Sequence, residues 1–78
     1  MDRATITKKV AALVAETLEV DESSVTPEVA FADLGADSFD LLELVTAFED
    51  EFGLTMDDES LTEIKTIGDA IDAIEAAQ

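Results

Sequence analysis

The stretch that most constrains the fold of this 78-residue chain runs from Leu34 to Leu44. It places Gly35 before an acidic turn, and Ser38 follows where an apolar pattern of helical period begins. A glycine in this place is typical of a backbone conformation that other residues resist, and it ends the preceding loop. Ser38 therefore stands at a predicted helix start, either in a capping role or as an exposed site for chemistry.

The second helix is predicted over residues 37–52, and its two faces differ. At about 100° per residue, one face gathers an apolar core stripe: Leu41, Leu44, Val45, Phe48 and Phe52. The opposite face mixes apolar, acidic and hydroxyl side chains: Phe39, Asp40, Leu42, Glu43, Thr46 and Asp50. Since apolar residues beside an acidic rim are typical of interaction sites, we expect a docking surface here. The alternative is that Phe39 and Leu42 pack beneath the preceding loop. Gly53 is expected to end the helix.

Two further long helices are predicted. The first covers residues 4–19, with Asp2 or Thr5 as its cap. Its buried stripe consists of Ile6, Val10, Leu13, Val14, Thr17 and Leu18. The last helix opens at Thr66, with Asp69 completing a weak form of the capping box. Its buried stripe consists of Ile67, Ala70, Ile71 and Ile74.

The remaining segments complete an all-α fold. Residues 20–36 carry turn residues and Pro27, yet five apolar residues suggest that this long loop is pinned onto the core. Residues 57–64 are expected to form a short helix, and no segment alternates as a strand would. We therefore predict a single domain over residues 1–78, a small bundle of three principal helices plus one short helix.

Charge is the dominant feature of the composition. The chain has 4 basic and 20 acidic residues, for a net charge of −16, and from Val10 to Ile64 it carries 16 acidic residues and no basic one. Nucleic acid and anionic membranes would be repelled, so basic patches on other proteins are the expected partners. Solubility alone is the alternative role of this charge. Because the charges repel one another, salt or divalent cations should stabilise the fold.

The residue types exclude most catalytic chemistry. The chain contains no histidine and no cysteine, which removes a Ser–His–Asp triad, thiolate catalysis, disulfides and cysteine-based metal sites. Asp37 and Asp40 are weak bases, and a Ser–Lys arrangement with Lys65 has no support. The spacing of Asp57, Asp58 and Glu59 is not that of an EF-hand, so we expect loose cation association at most. We expect neither a catalytic residue nor a metal site, and Ser38 becomes either part of a helix start or an acceptor for another enzyme's chemistry.

The motif Gly35-Ala36-Asp37-Ser38, followed by a hydrophobic residue and an acidic amphipathic helix, resembles the acyl carrier proteins. Residues 40–45, 49–52 and 64–71 fit the same family, so the similarity spans essentially the whole chain. An Asp-Ser pair alone would mean nothing. At a helix start in an acidic, histidine-free chain of this length it is specific.

The resemblance implies a function and a site. In that family a phosphopantetheinyl transferase uses coenzyme A to esterify the serine that Ser38 matches, and the 4′-phosphopantetheine arm then carries acyl groups as thioesters. The carrier delivers them to ketosynthases, reductases, dehydratases and acyltransferases of fatty-acid biosynthesis, with no catalysis of its own. The second helix is the family's recognition element, and its matching positions are Asp37, Phe39, Asp40, Leu42, Glu43, Thr46 and Glu49. Acyl chains would be sheltered between the helices, near Leu44, Phe48 and Ile64.

Two departures bear on the pathway. Phe39 follows the serine where fatty-acid carriers usually have leucine, and Met56-Asp57 replaces a frequent isoleucine–proline pair. A carrier for polyketide or unusual lipid synthesis therefore stays open. A peptidyl carrier is disfavoured because Asp37 stands where those usually have glycine.

Other classes of protein remain as alternatives. An acidic interaction protein, such as a nucleic-acid mimic, would use the same charge without needing Ser38, and a cation-buffering protein is a third hypothesis. No apolar run approaches the roughly 20 residues of a membrane span, and the N-terminus lacks the features of a signal peptide. We therefore expect a cytoplasmic monomer that is not inserted into a membrane.

Overall fold

Three α-helices dominate the computed structural model, which describes residues 2–56 and 62–77. Helix α1 spans Arg3–Leu18, α2 spans Ser38–Phe52 and α3 spans Ile67–Ala77. Helix α1 packs against both α2 and α3. No strand forms in these two ranges, where a single isolated β-bridge joins Ala30 to Thr66. The predicted all-α class is confirmed, while most of the predicted short helix over 57–64 lies outside the described residues.

Helix α1 begins and ends one residue earlier than predicted, and its caps explain both differences. Asp2 is the N-cap, because its carboxylate accepts a hydrogen bond from the Thr5 N–H at 2.9 Å. Hydrogen bonding from Thr5 lowers the pKa of Asp2 below its ordinary value. The helix ends at Leu18 rather than at 19, because Glu19 adopts the left-handed conformation (φ 56°) and its N–H bonds to the Ala15 carbonyl.

Helix α3 begins as predicted. The Thr66 hydroxyl accepts a hydrogen bond from the Asp69 N–H at 3.1 Å, and Asp69 Oδ2 accepts from the N–H of Thr66 at the same distance. The Lys65 N–H also donates to Asp69 Oδ2, at 3.1 Å. These hydrogen bonds, from Lys65 first and then Thr66, lower the pKa of Asp69. The capping box proposed from the sequence is therefore present.

The core is built from all three helices and from the long loop. Its fully buried large side chains are Ile6, Val10, Val14, Phe31, Leu44, Phe48, Ile67, Ile71 and Ile74. The predicted stripes supply most of it, with local corrections: Ala11 joins the core, whereas Leu13, Leu18, Leu41 and Phe52 are only half-buried at its edge. These four lie at the margins of their stripes, where a helix surface turns towards solvent.

The loop between α1 and α2 is pinned onto the core, as predicted. It contains two 3₁₀-helices, Glu22–Ser24 and Phe31–Leu34, and buries Val25 and Phe31. Three backbone hydrogen bonds tie it to the start of α3: Phe31 N to Lys65 O (3.0 Å), Ile67 N to Val29 O (2.9 Å) and Gly68 N to Pro27 O (2.9 Å). We call these three bonds the ladder. They satisfy backbone groups that the loop would otherwise leave unpaired.

Candidate functional site

Ser38 occupies the first turn of α2 with its hydroxyl accessible. The N-cap is Asp37, whose carboxylate accepts a hydrogen bond from the Asp40 N–H at 2.9 Å, while the Asp37 N–H donates to Asp40 Oδ2 at 3.2 Å. This reciprocal capping box satisfies the helix start without Ser38. Ser38 is exposed, and its hydroxyl makes no hydrogen bond within the described ranges. The serine is therefore free to act as an acceptor.

Gly35 turns the chain from the loop into this capping box. It adopts the left-handed conformation (φ 83°) predicted from its position, and its N–H bonds to the Ala32 carbonyl at 3.1 Å. A Cβ at Gly35 would meet no atom within 4 Å. The need for glycine is therefore one of backbone conformation and not of space.

An apolar cleft of about 520 Å³ adjoins Ser38. Its lining is drawn from the loop, the start of α2 and the segment before α3: Ala30, Phe31, Ala32, Ala36, Asp37, Ser38, Leu41, Ile64 and Lys65. The ladder joins the loop wall to the wall that contains Ile64 and Lys65, so α2 forms the opposite side. Of the three residues expected to shelter an acyl chain, the structure brings Ile64 to Ser38 and leaves Leu44 and Phe48 in the closed core.

The outer face of α2 is an exposed apolar surface with an acidic rim. Phe39 is 82% exposed and Leu42 is 50% exposed, so the alternative in which they pack beneath the loop is wrong. A shallow groove of about 400 Å³ is lined by Phe39, Leu42, Glu43, Thr46, Ala47 and Asp50. We call these six residues the docking face, after the partner-binding role that the sequence predicts for this side of α2. Sequence periodicity identified the polar and large members but missed Ala47, a small residue whose position gives no hint of a groove.

A second groove extends this surface towards α1. It has a volume of about 350 Å³, and Glu43 and Ala47 line it together with Leu13, Glu16 and Thr17. Sequence periodicity did not indicate this second groove, because the groove depends on how α1 crosses α2.

Glu49 has a different environment from the other predicted partner-binding residues. Its Oε2 accepts a hydrogen bond from the Met56 N–H at 2.9 Å, and Met56 is buried. This bond holds the chain after α2 against the helix. A partner contact by Glu49 would share a carboxylate that already has this structural role.

Two of the three basic residues of α1 join the helices at the surface. Arg3 Nη1 lies 2.8 Å from Asp72 of α3, and Lys9 Nζ lies 3.0 Å from Glu51 of α2. Such exposed pairs contribute about 0–1 kcal/mol each.

Across residues 2–56 and 62–77 no group of carboxylates is arranged to hold a metal ion. Asp57, Asp58 and Glu59 lie outside those ranges. None of the helices within them is long and apolar enough to cross a membrane.

Comparison with known proteins agrees with this geometry. Residues 8–74 match the family model described as a phosphopantetheine attachment site. The fold, the free serine and this match define a class, the carrier domains that hold a phosphopantetheine group. Over 71 residues the chain is 52% identical to an acyl carrier protein of Porphyromonas gingivalis, covering 90% of this chain and 91% of that one.

Two solved structures are similar over almost the whole chain. The crystal structure of an acyl carrier protein from Thermotoga maritima has a TM-score of 0.85 and 35% identity, covering 99% of this chain and 91% of that one. An acyl carrier protein from Enterococcus faecalis has a TM-score of 0.83 and 34% identity, with both chains fully covered. The chain belongs to the acyl carrier protein family.

Family membership assigns the role of a carrier rather than a catalyst, with phosphopantetheine as its prosthetic group. The residues present fit that group. The exposed hydroxyl of Ser38 offers an attachment point, and the apolar cleft beside it offers a surface for an alkyl chain. When bound, the group supplies a thiol, which this cysteine-free chain lacks.

Proposed function

We propose that Ser38 carries the 4′-phosphopantetheine arm and that the chain holds acyl groups on it as thioesters for fatty-acid biosynthesis. The observation that carries this proposal is the division of roles at the start of α2. Asp37 caps the helix, and the adjacent Ser38 hydroxyl is exposed and unbonded in the described structure. Neither nucleic-acid mimicry nor cation buffering would require such a serine.

Loading is a transfer reaction in which this chain supplies only the acceptor oxygen. A bond forms between Ser38 Oγ and the phosphorus of the pantetheine phosphate, and the pyrophosphate bond of coenzyme A breaks, releasing its adenosine bisphosphate half. The hydroxyl proton passes to a base of the phosphopantetheinyl transferase. This chain has no histidine, and the carboxylate of Asp37 already accepts a backbone hydrogen bond.

The cleft beside Ser38 is the proposed route by which an acyl chain enters the protein. Phe31, Leu41 and Ile64 give it an apolar lining, so burying alkyl surface there would be favourable. Because Leu44 and Phe48 lie fully within the core, a longer chain reaches them only if the core opens.

The proposed partners bind at the start and outer face of α2. They are the transferase and then ketosynthases, reductases, dehydratases and acyltransferases that present basic residues. The contacts that we propose are Asp37, Phe39, Asp40, Leu42, Glu43 and Thr46, with Glu49 as a lesser one. Charge complementarity favours fast, salt-sensitive encounters, and the exposed Phe39 supplies an apolar anchor.

Mass spectrometry after loading tests the attachment site. Native protein, Ser38→Ala and Ser23→Ala are each incubated with coenzyme A and a promiscuous phosphopantetheinyl transferase. Ser23 is a matched control, since it is also exposed but lies in the loop. We expect the mass of one arm on the native protein and on Ser23→Ala, and none on Ser38→Ala. No gain on the native protein, or a gain that survives Ser38→Ala, would sink the proposal.

A further inference from the structure

One basic side chain lies beside the proposed attachment serine. Lys65 is the only lysine or arginine beyond residue 9, and it lines the same cleft as Ser38. Its backbone is held in place by the ladder, since the Lys65 carbonyl accepts a hydrogen bond from the Phe31 N–H at 3.0 Å. The fold thus places Lys65, the only basic residue beyond residue 9 of this acidic chain, in the same cleft as Ser38.

The Lys65 ammonium forms no hydrogen bond or ion pair with a residue in the described ranges, although its charge attracts the Asp69 carboxylate. The ion pairs found there belong to Arg3 and Lys9. Glu63 and Asp69 are the nearest carboxylates in sequence, and Asp69 Oδ2 is already bonded to the N–H groups of Lys65 and Thr66. The side chain of Lys65 is exposed and so can turn towards the cleft.

Attachment of the arm creates an electrostatic problem at this place. A phosphodiester on Ser38 Oγ adds a negative charge between Asp37 and Asp40, in a chain that already carries a net charge of −16. The side chains that line the cleft include one acidic residue, Asp37, and one basic residue, Lys65. The start of α2 favours an anion through its helix dipole, and Lys65 is the only side chain of the lining whose charge can offset the new repulsion.

We propose that Lys65 forms an ion pair with the phosphodiester of the arm on Ser38 and thereby orients the arm over the cleft. The inference rests on the proposed attachment at Ser38. An ammonium is a compact point charge with three donors, well suited to phosphate oxygens. Anchored there, the arm starts towards Phe31 and Ile64 and away from the docking face, so Lys65 acts as a positioning residue.

The test compares the loaded and unloaded forms of three proteins: native, Lys65→Gln and Lys8→Gln. Lys8 is the matched control, since it is exposed, lies on α1 and forms no ion pair with the described residues. At low salt, loading should lower the melting temperature of Lys65→Gln by about 2–4 °C more than it lowers that of the other two. The ³¹P resonance of the arm should also shift in loaded Lys65→Gln alone. Both differences should vanish at about 1 M salt, where the Debye length is about 3 Å.

The possible outcomes distinguish the ion pair of Lys65 from the attachment of the arm at Ser38, on which it rests. An equal effect of loading on all three melting temperatures, with an unchanged ³¹P resonance, overturns the ion pair. A response shared by Lys8→Gln also overturns it, because it would reflect net charge alone. If the native protein gains no arm, the attachment at Ser38 fails and this inference fails with it. If the arm is present and Lys65→Gln has no effect, only the inference fails.

Discussion

At the scale of single residues, the start of α2 shows how two neighbours of similar chemistry take different roles. Aspartate and serine both favour helix N-caps, so residue type alone leaves Asp37 and Ser38 equivalent. The backbone distinguishes them, because Asp37 is extended (φ −105°, ψ −173°) and Ser38 is the first helical residue. Only the extended residue can turn its side chain back onto the helix N–H groups, so the serine hydroxyl is left unbonded in the described structure.

A matched pair of glutamates on α2 tests structural against recognition roles. Glu49→Ala should lower the free energy of unfolding by about 1 kcal/mol, because the buried Met56 N–H loses its acceptor. Glu43→Ala, on the exposed docking face, should change that free energy by less than about 0.5 kcal/mol but weaken binding of the transferase at low salt. Urea unfolding and binding isotherms measure the two effects.

The opposite pattern, with Glu43 stabilising and Glu49 affecting binding alone, would contradict these assignments. Glu43→Lys makes a stronger test of docking than Asp40→Lys. The Asp40 carboxylate belongs to the capping box, so its loss would disturb the start of α2 as well as the surface.

At the scale of elements, the contact between the loop and α3 shapes the site most. The ladder sets one wall of the cleft and places Lys65 beside Ser38. It also accounts for a glycine inside α3, since a Cβ on Gly68 would lie 3.1 Å from the Pro27 carbonyl oxygen. The capping box of Thr66 and Asp69 anchors α3 at the end of the ladder.

Asp69→Asn should reveal the capping box through the pH dependence of stability. The pKa of Asp69 is lowered in the folded protein below its ordinary value near 3.8, because its carboxylate accepts backbone hydrogen bonds. The carboxylate therefore stabilises the fold above that ordinary value, and this contribution is lost as the pH falls through the folded pKa. We expect native protein to exceed Asp69→Asn in stability at pH 7 and the difference to shrink below about pH 4.

Urea unfolding across this pH range measures the difference, and a gap that stays constant with pH would argue against the cap. Asp50→Asn removes the same charge from an exposed position of α2. It therefore controls for the effect of net charge.

At the scale of the whole molecule, charge opposes packing. Most of the acidic surface belongs to α2, α3 and the loop, while three of the four basic residues lie on α1. Arg3 forms an ion pair that joins α1 to α3, and Lys9 forms one that joins α1 to α2. These few ion pairs cannot neutralise 20 acidic residues, so repulsion between the carboxylates persists across the surface.

Salt should therefore stabilise the protein. Raising sodium chloride from about 0.01 M to 0.5 M shortens the Debye length from about 30 Å to a few ångströms. Screening of repulsion should outweigh the weakening of the exposed ion pairs. We expect the melting temperature to rise by about 5 °C or more, roughly 1 kcal/mol for a chain of this size. Millimolar magnesium should act in the same direction. Circular dichroism measures the melting temperature. A melting temperature that changes with neither sodium chloride nor magnesium would count against self-repulsion.

The sequence by itself determined the elements and the motif. Helical periodicity, capping residues and glycines are local, so they predicted α2, the opening of α3 and the left-handed Gly35 and Gly53. The exposed position of Phe39 followed from the same periodicity, although a helical wheel could not tell whether the loop covered it. The family motif around Ser38 was likewise visible without a structure.

Only the tertiary structure decided which groups meet. The bond from Met56 to Glu49, the groove between α1 and α2, and the cleft shared by Ser38, Ile64 and Lys65 join residues that are distant in sequence or on separate elements. Such contacts depend on how helices cross and on backbone groups that every residue carries. Residue identity therefore does not encode them locally. The free hydroxyl of Ser38 was a possibility in the sequence, and the extended backbone of Asp37 settled it.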